Sequence, residues 1–95
     1  MDSISTQIEL LKTNIQFESV CEQIRLLNQR LDALHTRYSR ACNENHKRGR
    51  YTLRLQVSTL ENIRNMFVEY ASSKADQLIR LQCQLGGLQE DELMQ

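Results

Sequence analysis

His35, Cys42 and His46 are the side chains of this chain with the chemistry best suited to a metal ion. Spacings of seven and four residues place them along one stripe of a helix, and imidazole and thiolate are ligands that zinc prefers. A tetrahedral site needs a further ligand, which the surrounding sequence does not offer. Polar side chains facing solvent explain the same residues, so we predict no metal and no cofactor.

Catalytic motifs are absent from the sequence: it has no glycine-rich phosphate loop, no HExxH pair and no nucleophile elbow. A nucleophilic site needs a base and an orienting group held in a concave pocket. Architectures of two helices seldom provide such a pocket. We therefore predict that the chain is not an enzyme and has no catalytic residues.

A basic cluster lies between residues 36 and 54, where six cations accompany a single acidic residue. Its members are Arg37, Arg40, Lys47, Arg48, Arg50 and Arg54. Such charge can neutralise phosphates or dock on an acidic surface of a protein or a lipid. The simplest interpretation is a solvated turn whose cations also favour the C-terminal end of the preceding helix. Nucleic acid is the less favoured partner, because the net charge is zero and only two tyrosines lie nearby for base stacking.

The cysteine content and the ends of the chain indicate a compartment. Three cysteines are an odd number, and their spacing fits neither a CxxC redox motif nor a four-ligand zinc site. The N-terminal MDSISTQIELLK is not typical of a signal peptide, and no apolar run approaches the length of a membrane span. We expect reduced thiols in an intracellular protein without a membrane span, with the cytoplasm favoured over the nucleus.

The composition favours long helices over a globular core. The 95 residues include no proline, no tryptophan and three glycines, and 40% of them are hydrophobic. The absence of proline leaves the chain free to be helical, and the hydrophobic share argues against disorder. Because a core of this size would be marginal, the sequence predicts an all-α, elongated protein.

Two stretches repeat apolar residues with the alternating three- and four-residue spacing of coiled-coil seams. Upstream of the first stretch, Ile4, Ile8, Leu11 and Ile15 keep helical spacing in another phase, which predicts a seam that drifts around the helix near Phe17. The predicted interface residues are Phe17, Val20, Ile24, Leu27, Leu31, Leu34 and Tyr38 in the first arm, and Leu53, Val57, Leu60, Phe67, Leu78, Leu81 and Leu85 in the second.

Charged residues predict how the two arms pair. Folding the chain antiparallel, so that the numbers of facing residues add up to about 95, matches the apolar seams. The same register places opposite charges side by side, and such pairs set orientation more than stability. The predicted register pairs are Arg64 with Asp32, Lys74 with Glu22, and Arg25 with Glu69.

The centre of the chain distinguishes a hairpin from an antiparallel dimer of unbroken helices. Asn43, Asn45 and Gly49 are poor helix formers, and Gly49 suits the left-handed position beyond a helix end. We predict one coiled-coil unit over 1–95: a helix over about 4–43, a basic turn over 44–51, a helix over 52–85, and an acidic tail over 86–95 after two glycines. The alternation over 51–57 also fits a strand, but the heptad favours helix.

Further apolar positions make the apolar face of each helix wider than a two-stranded seam requires. They are Leu10, Leu26, Leu55, Ile63, Met66, Tyr70 and Ile79. Apolar surface of that extent implies association, so we expect partner helices to complete a three- or four-helix bundle. The predicted function is a non-enzymatic coiled-coil subunit or adaptor of a larger intracellular complex, cytoskeletal or trafficking by analogy of fold class. The alternatives are a nucleic-acid or anionic-surface binding module that uses the basic cluster, and a homo-oligomeric structural spacer.

Overall fold

A computed structural model describes the backbone of residues 2–94 and the side chains of residues 2–87. The chain folds as two long helices, α1 (Ser3–Asn43) and α2 (Lys47–Met94), joined by a turn over 44–46. The predicted all-α helical hairpin is confirmed. No strand occurs between residues 2 and 94, so the alternating residues 51–57 belong to α2.

Helix α1 has the predicted bounds to within one residue, whereas α2 is longer than predicted at both ends. It begins at Lys47 rather than at residue 52, and its backbone continues through Gly86 and Gly87 to Met94. The predicted turn is present but covers 44–46 rather than 44–51, and the predicted helix end at 85 is wrong. One glycine costs a helix about 1 kcal/mol, which good helix formers on either side offset. The side chains of the acidic tail beyond Gly87 lie outside the described residues.

The start of α1 is capped by Asp2. The backbone N–H of Ser5 donates to Asp2 Oδ1 at 2.7 Å, and the Thr6 hydroxyl donates to the Asp2 carbonyl at 3.0 Å. A carboxylate in this position accepts a helix N–H that has no partner within the helix. The hydrogen bond from Ser5 holds the pKa of Asp2 below its ordinary value.

Asn45, not Gly49, takes the left-handed conformation at the end of α1, with φ of 54°. The N–H of His46 donates to the Ala41 carbonyl at 2.9 Å, and the N–H of Asn45 donates to the Cys42 carbonyl at 3.1 Å. These two hydrogen bonds form a Schellman motif, in which the residue after the helix cap is left-handed. Asparagine tolerates that conformation better than most residues, so the turn closes without a glycine there.

His46 then caps the start of α2. The N–H of Gly49 donates to His46 Nδ1 at 3.0 Å, which is the bond that a serine or aspartate usually accepts at this position. The predicted role of Gly49 as the left-handed residue is wrong because Gly49 already lies in the first turn of α2. The reversal of the chain thus needs only residues 44–46.

The contacts divide the hairpin into two compact units. One comprises residues 22–68, which include the turn, and we call it the turn unit; the other comprises residues 2–21 with 69–94, and we call it the terminal unit. In the turn unit the core is built on Leu31, which is 2% exposed, with Leu34 and Leu53 also buried. Half-buried side chains extend this seam: Ile24, Leu27, Tyr38, Val57, Leu60 and Phe67.

The core of the terminal unit contains two threonines in seam positions. Thr6 and Thr13 are buried, at 0% and 2% exposure, and lie seven and fourteen residues before the buried Val20. The seam of α1 therefore keeps one heptad phase. The predicted drift is wrong: Ile4, Ile8, Leu11 and Ile15 are exposed instead.

The longer downstream run sets this phase, because α1 is a single unbroken helix. The remaining seam residues of the terminal unit are buried or half-buried: Leu10, Phe17, Ala71, Leu78, Leu81 and Leu85.

Candidate protein-interaction site

Polar contacts join α1 and α2 along one edge of the turn unit. Arg64 Nη1 donates to Asn28 Oδ1 at 3.3 Å, and His35 Nε2 lies 3.7 Å from Glu61 Oε1. With Leu31 at heptad position a, Asn28 and His35 both occupy position e, on the same side of the seam. We call this side the polar edge, because side chains of the two helices bridge it.

Arg64 does not pair with Asp32, so that predicted register pair is wrong. Asn28 and Asp32 are one helical turn apart on α1, and the guanidinium of Arg64 bonds to the first of them. The antiparallel register is close to the predicted one, since residues 35 and 61 face each other.

The other two predicted register cations have neighbours on their own helices. Arg25 donates to both carboxylate oxygens of Glu22, at 2.9 and 2.5 Å, which lowers the pKa of Glu22 and raises that of Arg25. Lys74 lies 5.3 Å from the ring centroid of Tyr70 and donates to Gln77 Oε1 at 3.5 Å. Residues three or four apart on one helix meet readily. The pairings of Arg25 with Glu69 and of Lys74 with Glu22 stay predictions.

The opposite side of the turn unit, which we call the apolar edge, has a different character. A groove of about 310 Å³ opens there between the helices. Its lining consists of Arg30, Leu34, Leu55, Gln56, Thr59 and Leu60. Helical spacing from these residues extends the edge to Leu26 on α1 and to Ile63 and Met66 on α2.

Several side chains of the apolar edge are exposed although they are large and hydrophobic. Met66 is 68% exposed, Leu55 is 52% exposed, and Leu26 and Ile63 are also exposed. Their positions were predicted from the sequence as extra apolar residues, but the sequence did not show that they share one edge. This concentration of exposed apolar side chains makes the apolar edge a candidate protein-interaction site.

Part of the basic cluster gathers in one cleft beside the turn. A cleft of about 270 Å³ is lined by Tyr38, Lys47, Arg50, Tyr51 and Arg54. Arg50 is half-buried, whereas the other five cations of the cluster are exposed. Three cations without an acidic neighbour in the lining can attract carboxylates or phosphates.

The remaining cations, Arg37, Arg40 and Arg48, do not line this cleft.

Two of the three candidate metal ligands have polar neighbours within the hairpin. His46 accepts the N–H of Gly49, and His35 faces Glu61. Cys42 is half-buried, while Cys21 and Cys83 are exposed, and all three thiols are free. Among the side chains of residues 2–87, no group of three or more potential ligands could hold a metal ion.

The terminal unit has an apolar surface of its own. A groove of about 380 Å³ is lined by Gln7, Leu10, Leu11, Asn14, Leu78 and Gln82. Ile4, Ile8 and Ile15 are exposed on the same helix as Leu11, and Ile79 is exposed on α2. The spacing of four, three and four residues from Ile4 to Ile15 is helical, but it marks this exposed surface and not the seam.

Comparison of the chain with protein-family models, with curated proteins and with solved structures finds no match. Neither helix, over the described residues, contains a stretch that is long and apolar enough to cross a membrane.

Proposed function

We propose that this chain is a non-enzymatic coiled-coil subunit that packs against partner helices in a larger intracellular complex. The observation that carries the proposal is the set of large apolar side chains left exposed at helical spacing outside the seam, with Met66, Leu55 and Leu26 in the turn unit. A cytoskeletal or trafficking complex remains the expected setting by analogy of fold class.

The energetics support association through these side chains. Fully burying a leucine, isoleucine or methionine side chain contributes about 1.5–3 kcal/mol. The hairpin leaves several such side chains in water, and a helix laid on the apolar edge would cover Leu55, Ile63 and Met66 together. The three free thiols fit a reducing compartment, in support of an intracellular, cytoplasmic location.

Site-specific photo-crosslinking in cells tests the proposal. A photoreactive residue replaces Met66 in one variant and Gln29, an exposed polar residue of the turn unit, in a matched control. We expect Met66 to crosslink to a heptad-patterned helix of another protein and the Gln29 position not to do so. Crosslinking of equal yield and identity at both positions would count against an apolar docking site.

A second candidate function is binding of an anionic surface by the basic cluster, because Lys47, Arg50 and Arg54 line one cleft with two tyrosines. This binding should collapse between roughly 50 and 200 mM salt. Replacement of Lys47, Arg50 and Arg54 by alanine should abolish it. Association through the apolar edge should instead survive the change in salt and respond to Met66→Gln, so the two functions are distinguishable.

A further inference from the structure

We propose that the partner helix on the apolar edge carries acidic side chains beside its apolar stripe, spaced one heptad apart to pair with Arg30 and Arg37. This inference rests on the proposed function and specifies the chemistry of the partner. It also commits to one occupant, an amphipathic helix of a different protein rather than a second copy of this chain.

The two edges of the turn unit are chemically unequal, and only one is open. Arg64 with Asn28 and His35 with Glu61 bridge the helices along the polar edge. On the apolar edge, no hydrogen bond or ion pair between the described side chains bridges the groove beside Arg30. A partner helix there covers apolar side chains without breaking a contact between α1 and α2.

The charges of the apolar edge are all of one sign. Arg30 and Arg37 occupy successive g positions of α1, and neither forms an ion pair among the described residues. The facing positions of α2 are uncharged: Thr52, Gln56, Thr59, Ile63 and Met66. Charges that flank a coiled-coil seam select the partner, since opposite charges attract and like charges repel.

This charge pattern disfavours a second copy. Two apolar edges brought together would place arginines near arginines, with no acidic residue at the g and c positions of residues 23–40 and 52–66 to accept them. Acidic residues beside the apolar stripe of a different partner helix would attract these arginines instead. The charge pattern of the apolar edge thus points to a partner of opposite sign.

The spacing of the arginines sets the geometry of the partner. Arg30 and Arg37 are seven residues apart, which is about 10.5 Å along α1. A helix that runs beside α1 at a small crossing angle presents residues one heptad apart at the same separation. Its apolar side chains then enter the groove above Leu34 and Leu60, and its acidic residues face α1.

Two synthetic helices test the inference against the full chain. Each is about three heptads long with the same leucine and isoleucine stripe, and the flanking residues are glutamate in one and lysine in the other. Fluorescence anisotropy at about 100 mM salt should show the glutamate peptide binding about 10- to 30-fold more tightly, as expected for two attractive pairs against two repulsive ones.

Charge reversal on the chain gives the matched control. Arg30→Glu with Arg37→Glu should invert the preference, so that the lysine peptide binds more tightly. Arg30→Glu alone should weaken the preference. Arg25→Glu makes the same change of charge as Arg30→Glu alone, at an exposed position of α1 outside the apolar edge, and it should leave the preference unchanged. If Arg25→Glu changed the peptide preference as much as Arg30→Glu does, the overall charge of the chain would explain the preference, and the inference would be overturned.

The outcomes separate this inference from the proposed function. If both peptides bind equally and Met66→Gln weakens both, the acidic flank is wrong while the apolar docking site stands. If neither peptide binds and light scattering shows an oligomer that Met66→Gln dissociates, a second copy occupies the edge and the inference is overturned. If neither binds and Met66→Gln changes nothing, both the inference and the apolar docking site fail.

Discussion

The histidine cap of α2 makes Gly49 sensitive to the smallest possible enlargement. His46 Nδ1 accepts the Gly49 N–H at 3.0 Å, and a Cβ atom at position 49 would lie 2.7 Å from the same nitrogen. Carbon and nitrogen atoms without a bond between them do not approach so closely. Gly49→Ala therefore displaces the imidazole and removes the cap.

Two effects of similar size oppose each other in this variant. Alanine is favoured over glycine in a helix by about 1 kcal/mol, and loss of an N-cap hydrogen bond costs about 1 kcal/mol. We expect Gly49→Ala to change the free energy of unfolding by less than about 0.5 kcal/mol. In a His46→Ala background there is no cap to lose, so the same change should stabilise the chain by about 0.5–1 kcal/mol.

A double-mutant cycle followed by circular dichroism in urea measures the coupling between His46 and Gly49. The expected coupling energy is about 1 kcal/mol. Gly87→Ala is the control, because a Cβ there meets no atom of the described side chains within 4 Å and should stabilise α2 equally with and without His46. If Gly49→Ala stabilises both backgrounds by the same amount, the contact between the imidazole and the Gly49 N–H does not exist and the reasoning is refuted.

Two further predictions concern acid and the core. Because hydrogen bonds lower the pKa of Asp2 and Glu22 below the ordinary 3.8 and 4.5, their stabilising effect is present above those values and is lost as the pH falls through the lowered ones. Helicity measured by circular dichroism between about pH 5 and 2 should fall less in Asp2→Asn, which keeps a capping oxygen. Leu31→Ala should lower the free energy of unfolding by about 2–4 kcal/mol, whereas exposed Leu26→Ala should change it by less than about 1 kcal/mol; equal losses in urea denaturation would contradict the assigned core.

The hairpin was predictable because two heptad runs of similar length flank poor helix formers. The run from Phe17 to Ala41 repeats the coiled-coil spacing, and Asn43, Asn45 and Gly49 favoured a turn over the antiparallel dimer of unbroken helices. The details of the turn were not predictable in the same way. Histidine is an unusual N-cap, so nothing in the sequence singled out His46 for that role.

Burial of Thr6 and Thr13 is the largest departure from the sequence pattern. Hydropathy alone favours isoleucines in the seam over threonines, and it placed Ile4 and Ile8 there. The structure keeps the phase of the downstream heptads, and the Thr6 hydroxyl satisfies its hydrogen bond within α1. A continuous helix thus overrides a local preference.

The candidate site was predictable in its residues and not in its arrangement. Leu55, Ile63 and Met66 were recognisable as apolar positions outside the seam. Their placement on one open edge depends on which polar side chains bridge the other edge. There Arg64 donates to Asn28 and not to Asp32. The sequence alone does not distinguish two acceptors that lie one helical turn apart, because the long arginine side chain can reach either of them.

The left-handed turn at Asn45 makes the hairpin a candidate for exchange between copies. If residues 44–46 straightened into helix, α1 of one molecule would pair with α2 of another, and the seam would be preserved. The population of the hairpin relative to the exchanged dimer then depends on the local energy of the turn and on protein concentration. Asn45→Val disfavours the left-handed conformation by about 1–2 kcal/mol and shifts the population toward the swapped dimer, while Asn45→Gly shifts it toward the monomer. The residue at position 45 therefore sets the protein concentration at which an intertwined dimer replaces the folded monomer.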